Sequence, residues 1–274
     1  MKLTILGCYA ATPRTFTNPT SQVLEINNHL FLIDCGEGTQ IQLRKYGFKF
    51  QRIGHIFISH LHGDHFFGLI GLITTMNLLG REKPLTIHAH KELQELITYQ
   101  LKVSKSWIDF KIHYNHLPTD SQIILDDAQI TVQTVTLSHR IACCGFVFRE
   151  KPHDRKLLKP VIENYNIPIV LLKGIKQGDD YIAQSGKLIA NKELTESPPK
   201  SRSFAYITDT KYKEEIRTIL SKTNTLENVF FSKSNDVLMP TSDVTPNGLA
   251  TASCIREDNI ILGGDVLVIR FSHQ

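Results

Sequence analysis

His60-Leu-His-Gly-Asp-His65 places four potential metal ligands within six residues, directly after the apolar run His55-Ile-Phe-Ile-Ser59. The pattern is a strand that delivers ligands into a loop. Three imidazoles and a carboxylate packed this closely lose solvation, and the imidazoles repel one another when charged, so burial calls for a compensating cation. Imidazole nitrogen suits zinc, copper, iron and nickel, whereas all-oxygen sites suit magnesium and calcium, so zinc is the expected ion. In an extended turn His60 and His62 project to one side and can grip one ion, while Asp64 and His65 point elsewhere and can grip a second. The spacing therefore predicts two metals. A solvated His-rich loop is the competing reading, but Gly63 and the apolar strand fix the cluster at a strand end.

His60-x-His62-x-Asp64-His65 after a strand resembles the signature of the metallo-β-lactamase superfamily. Leu32-Ile-Asp34-Cys-Gly36-Glu-Gly38-Thr-Gln40, Ile58-Ser-His60 and Phe66-Phe-Gly68-Leu-Ile-Gly71-Leu narrow the resemblance to ribonuclease Z, the endonuclease family that trims tRNA 3′ ends. The similarity runs from residue 1 to about residue 212. It implies an α/β fold, a four-layer αββα metallo-β-lactamase sandwich, with one or two zinc ions.

The 274 residues, 41% of them hydrophobic, suffice for one large core, and one domain over 1–274 is the simpler organisation. A net charge of +4 permits a nucleic-acid partner without announcing one. Five cysteines without framework spacing, and no secretory or long apolar segment before the first strand, point to a reducing cytoplasm and no membrane. Cys143-Cys144 reads as buried structure, not as a redox or metal pair.

Along the chain, 2–6, 22–26 and 30–33 read as a meander of strands with a turn at Asn27-Asn28. Residues 39–46 have helical spacing, and 66–79 read as a buried helix whose positive end faces the metal loop. Asp34, at a strand's carboxyl end, either orients metal-binding histidines or caps the following helix. The family resemblance puts this residue beside the metal site. A strand over 84–90 carries His88 and His90, which read more economically as strand and turn than as ligands. A helix at 91–102, a strand at 108–116 and a hairpin at 121–137 follow.

That hairpin delivers Leu137-Ser-His139, where the superfamily places the third histidine of the first metal, and Ser203-Phe-Ala-Tyr-Ile-Thr-Asp209 ends in a match to its bridging aspartate. Residues 151–200 read as an inserted arm, with nine basic residues against six acidic ones. The resemblance implies that such an arm grips precursor tRNA, and that the protein is a homodimer whose arm serves the partner's substrate. A basic patch of this kind predicts salt-sensitive binding.

Two metals would clamp a phosphodiester and acidify a shared water, with Asp64 as candidate catalytic acceptor of the water's proton while it holds the second metal. Alternatives are a general metallo-hydrolase of small phosphodiesters or esters, and a catalytically impaired RNA-binding scaffold. The scaffold reading draws on a departure in the tail. Ribonuclease Z has two further histidines after the bridging aspartate, yet none of the twelve histidines here lies between His153 and His273. The segment at about 228–274 is thus atypical. It is an altered tail with one intact metal site, the favoured reading, or a variant using Asp236, Asp243 or Asp265, or one in which His273 folds back.

Overall fold

Alternating apolar residues build a first sheet from β1 (Lys2–Gly7), β2 (Ser21–Ile26), β3 (His29–Ile33), β4 (Ile53–Phe57), β5 (Leu85–Ala89) and β6 (Ile112–His116), in that spatial order. The computed structural model describes residues 1–9 and 15–211, plus the backbone of three short strands at Val237–Pro240, Ser253–Cys254 and Val266–Ile269 that pair with one another. The first three strands pair antiparallel, β2 and β3 through a tight turn at Asn27-Asn28, and β3 to β6 run parallel, joined by helical crossovers. Those crossovers carry α1 (Thr39–Lys45), α2 (Gly63–Phe66), α3 (Leu69–Leu78) and α4 (Lys91–Val103).

Strand parity sorts the core into two layers. Leu30 and Leu32 face α1 and α3, packing with Leu43, Leu69, Leu72 and Met76. Their neighbours Phe31 and Ile33 face the other way, with Phe57, onto Ile130, Val132, Phe146 and Phe148 of the second sheet. That sheet contains β7 (Ile123–Asp126), β8 (Ile130–Thr136) and β9 (Cys144–Glu150). The β7–β8 turn is closed by Asp127, whose Oδ1 accepts from the backbone N–H of Gln129 at 2.7 Å and of Ile130 at 2.9 Å.

The arm holds β10 (Lys156–Leu157), β11 (Tyr181–Ile182), β12 (Leu188–Ile189) and β13 (Thr195–Glu196), paired β10 with β13 and β11 with β12. It has a small core of its own, formed by Ile167, Ile175, Tyr181, Ile189 and Leu194. The chain then returns as β14 (Ser203–Tyr206), antiparallel to β9, which gives a second sheet ordered β14-β9-β8-β7.

The buried helix expected over 66–79 is α3, Leu69–Leu78, which starts after Gly68, with the short α2 before it. A Cβ on Gly68 would lie 2.1 Å from the Gly36 carbonyl oxygen, and the Gly68 N–H donates to Cys35 O at 2.9 Å. This close approach locks the loop after β3 to the histidine loop. His88 is taken up by packing: its ring stacks on Phe57 at 4.2 Å, and Asn115 Nδ2 donates to its Nδ1 at 3.0 Å. Its Nε2–H is thereby directed to His55 Nδ1, also at 3.0 Å. Cys35, Cys143 and Cys144 are buried, and burial pushes all three thiols up, Cys35 to about 12, so none is a thiolate at neutral pH.

Candidate metal centre

β4 ends at Phe57, and the chain runs through Ile58 and Ser59 into His60 and His62 before α2 begins at Gly63. His139 lies just beyond β8, and Asp209 just beyond β14, so three strand ends, those of β4, β8 and β14, bring candidate ligands from both sheets to one edge of the sandwich. His60, His62, His139 and Asp209 offer ligand atoms that all lie within 4.8 Å of one another. His60 Nε2 is 3.0 Å from His62 Nδ1, His139 Nε2 is 3.2 Å from the same Nδ1, and Asp209 Oδ2 is 3.4 Å from His60 Nε2. Ligands roughly 2.1 Å from a tetrahedral zinc ion stand roughly 3.4 Å apart, so this donor set fits such an ion.

His65 and Asp64 lie beside this group and face the same carboxylate. His65 Nε2 is 3.6 Å from Asp64 Oδ2 and 3.8 Å from Asp209 Oδ2. All six residues singled out in the sequence are thus brought together, with Asp209 between the two subsets. The tail residues considered as substitutes, Asp236, Asp243, Asp265 and His273, lie outside the described residues. His88 and His90 are not members of the ligand group among the described residues.

Asp34 supports the centre from behind. It is fully buried and adopts a left-handed backbone, φ 55°, a conformation aspartate tolerates better than most residues. Its Oδ1 accepts the Ser59 N–H at 2.8 Å, and its Oδ2 accepts from Ser59 Oγ at 2.9 Å, His65 Nδ1 at 2.7 Å and Tyr206 Oη at 2.6 Å. Because a carboxylate only accepts, His65 must carry its proton on Nδ1 and present a bare Nε2 to the centre. Ser59, having donated to Asp34, has its oxygen 3.1 Å from His60 Nδ1, which sets the same tautomer there. Of the two roles open to Asp34, orientation of the histidines is the one occupied. The α1 cap residue is Gly38, with no side-chain cap.

The charges are tuned for cation binding. Burial, and then the neighbouring His60 and Arg140 charges, hold the His62 imidazole below its usual value, so a proton competes poorly for it. Burial likewise lowers His139. Contact with His60, and then the fields of His65, His60 and His139, hold Asp209 below the ordinary carboxylate range, against its partial burial. Burial opposes charge on His65, but the Asp34, Asp64 and Asp209 carboxylates overcome it and raise this imidazole.

No local signal in the chain marks Ser59, Tyr206 or Arg140 for a role at this site. Arg140 Nε lies 3.1 Å from the outer nitrogen of His62, Nε2, the nitrogen turned away from the donor cluster. Ser59 and Tyr206 stand on strand ends with the right parity, but only the fold shows that both point at Asp34.

A family described as "Anti-Pycsar protein Apyc1" matches residues 1–157, which hold His60, His62, Asp64, His65 and His139. Ribonuclease Z of Bacteroides fragilis is 45% identical over 221 residues, covering 80% of this chain and 73% of that protein. Ribonuclease Z of Phocaeicola vulgatus is 47% identical over 209 residues, 76% of this chain and 68% of that one. Among solved structures, human tRNase Z, short form, aligns with a TM-score of 0.51 at 35% identity, covering 56% of this chain and 66% of the human chain, just under two thirds of its length. With the Apyc1 family matching its first 157 residues and ribonuclease Z sequences matching about four fifths of its length, the chain belongs to the ribonuclease Z family and carries its metallo-β-lactamase fold.

Proposed function

We propose that this protein is a zinc-dependent endoribonuclease that removes the 3′ trailer of precursor tRNA. The observation that carries the reading is the convergence of His60, His62, His139 and Asp209, with Asp64 and His65 beside them. The imidazole-rich donor set favours zinc. A bound divalent ion would supply Lewis-acid polarisation of the phosphodiester and a water of lowered pKa. The residues do the rest. His60, His62 and His139 would hold one ion, Asp64 and His65 would contribute to a second, and Asp209 would serve both. Asp64, 14% exposed at its side chain, would accept the proton of the attacking water, and the ribose 3′-oxygen would leave as an alkoxide that takes a proton from solvent. Asp34, Ser59 and Tyr206 keep the imidazoles in register throughout.

The arm is read as the tRNA grip, and a homodimer would present one subunit's arm to the other's substrate. The exposed side chains of Ile169 and Val170 on the arm support a contact role there. The buried thiols of Cys35, Cys143 and Cys144, none in a disulfide among the described residues, support a reducing, cytoplasmic setting. No helix among the described residues is long and apolar enough to cross a membrane. The chain is read as one domain carrying the arm and an atypical tail.

Metal content per chain, measured beside cleavage of precursor tRNA, tests the reading. Two equivalents with cleavage establish a complete centre, and one with residual cleavage an impaired second site. Binding of tRNA without turnover would leave an RNA-binding scaffold. A small chromogenic diester hydrolysed faster than precursor tRNA would favour the general hydrolase.

A further inference from the structure

At the end of α3 remote from the histidine loop, a cavity of about 560 Å³ is lined by Arg44, Phe48, Phe50, Gln51, Arg52 and Lys83, among others. α3 starts beside the histidine loop and runs ten residues, about 15 Å, before the chain reaches Leu79 and Gly80 on the cavity wall, so this site is separate from the metal centre.

Its lining has three chemical parts. The cationic part is Arg44, Lys49, Arg52 and Lys83, opposed in the lining only by Glu82, and none of the four is in an ion pair among the described residues. The apolar part is Phe48, Phe50 and Leu79, with the Arg44 guanidinium 5.7 Å above the Phe50 ring. The third part is one oriented acceptor. Gln51 Nε2 donates to Leu79 O at 3.0 Å and Met76 O at 3.4 Å, which fixes the amide so that Oε1 is the free end. That Oε1 is buried and has no hydrogen-bond partner. A buried acceptor left bare costs free energy that a donor from a ligand would recover.

The walls are held in place before any ligand arrives. Arg81, 3% exposed, donates to Lys83 O and Pro84 O at 2.7 Å each and to Phe50 O at 3.4 Å, tying the two sides together. Such preorganisation lowers the ordering cost of binding.

We propose that this cavity binds a nucleoside phosphate: the phosphate meets the cations, the base lies on the Phe48 and Phe50 side, and a base N–H donates to Gln51 Oε1. The ligand is either a free nucleotide or a terminal nucleotide of RNA, which present the same chemistry. The proposal does not depend on the reading of the metal centre.

The test is equilibrium binding of three probes to the metal-loaded full chain: AMP, purine riboside 5′-monophosphate, which lacks the amino group, and ribose 5-phosphate. AMP should bind about ten-fold more tightly than the des-amino nucleotide, the value of one hydrogen bond to a buried acceptor. Ribose 5-phosphate should bind more weakly still. The double variant Arg52→Glu, Lys83→Glu, whose side chains are exposed and whose fold is checked by circular dichroism, should weaken AMP at least ten-fold, as loss of phosphate contacts requires. Asp64→Asn should leave AMP binding unchanged. A short RNA that displaces AMP at lower concentration than AMP itself would assign the site to RNA ends, and the converse to free nucleotide. Equal affinity for all three probes, no response to the charge reversal, loss of binding in Asp64→Asn, or no AMP binding below about 10 mM overturns the proposal.

Discussion

The phenol of Tyr206, at the end of β14, donates to Asp34, just past β3, across 2.6 Å of fully buried interior. Tyr206→Phe removes that donor and leaves the carboxylate with the Ser59 and His65 bonds alone. The expected cost is about 1–3 kcal/mol, seen as a drop in thermal midpoint of several degrees. An unchanged midpoint would remove Tyr206 from the supporting network.

Asp34→Asn tests orientation more directly. Oδ2 takes three donors, and an amide NH2 in its place would face Ser59 Oγ, His65 Nδ1 and Tyr206 Oη donor to donor. If the amide instead turns its oxygen that way, the Ser59 N–H is left facing the NH2 group. Zinc affinity by chelator competition should fall about 10–100-fold, the range typical of lost outer support to a metal-binding histidine. Affinity equal to that of the unaltered protein would contradict the role given to Asp34.

The ligand set itself separates from its histidine neighbours. His139→Ala should lose zinc and precursor-tRNA cleavage together, whereas His90→Ala should keep the full metal stoichiometry. Atomic absorption on both variants, purified without added metal, reads the difference. Metal retained in His139→Ala would break the proposed set.

Acid should weaken the fold through His88. Burial and the neighbouring His55 push its imidazole down to about 3, while the unfolded chain takes up that proton near the ordinary 6.5. Between those values the unfolded state holds more protons, so stability is fully present above 6.5 and is lost as pH falls through the window. His65, raised by Asp34, works in the opposite sense. Denaturant unfolding at pH 7, 6 and 5 should show the decline, up to about 1.4 kcal/mol per pH unit for a single group. His88→Leu should decline less steeply, and an identical pH profile in the variant would refute the assignment.

On the arm, replacing Lys159, Lys173 and Lys176 by Glu should weaken precursor-tRNA binding and lessen its salt dependence. Each lost phosphate contact reduces the logarithmic slope by about 1. Turnover of a small chromogenic diester should be untouched. Parallel losses on both substrates would mean that the arm does not act through RNA.

The strand of this protein, and the histidine loop that follows it, were legible because their signals are local. His60 to His65 fit in one turn, and Leu30 to Ile33 alternate with a period that only a two-faced strand satisfies. His139 and Asp209 have no such local signal and became readable only through resemblance to a family. Ser59 and Tyr206 were opaque because their meaning is a long-range contact: Tyr206 is 172 residues from Asp34. The start of α3 at Gly68 was hidden for the same reason, since it answers to the Gly36 carbonyl across the loop and not to helical propensity.

The arm leaves the sheet after Glu150 and re-enters at Arg202, and these two residues are clamped together. The Arg202 guanidinium grips both Glu150 oxygens, at 3.0 and 3.2 Å, while the Glu150 N–H donates to Arg202 O at 2.9 Å. Topologically, then, β9 and β14 are a simple hairpin whose loop has grown into a lobe with a core of its own. Such a joint lets the lobe be lengthened, shortened or exchanged as a cassette, with the hairpin register of the sheet unaltered. Recognition and chemistry can on that account diverge independently in descendants of this scaffold: one by remodelling a loop, the other by substitutions at the strand ends.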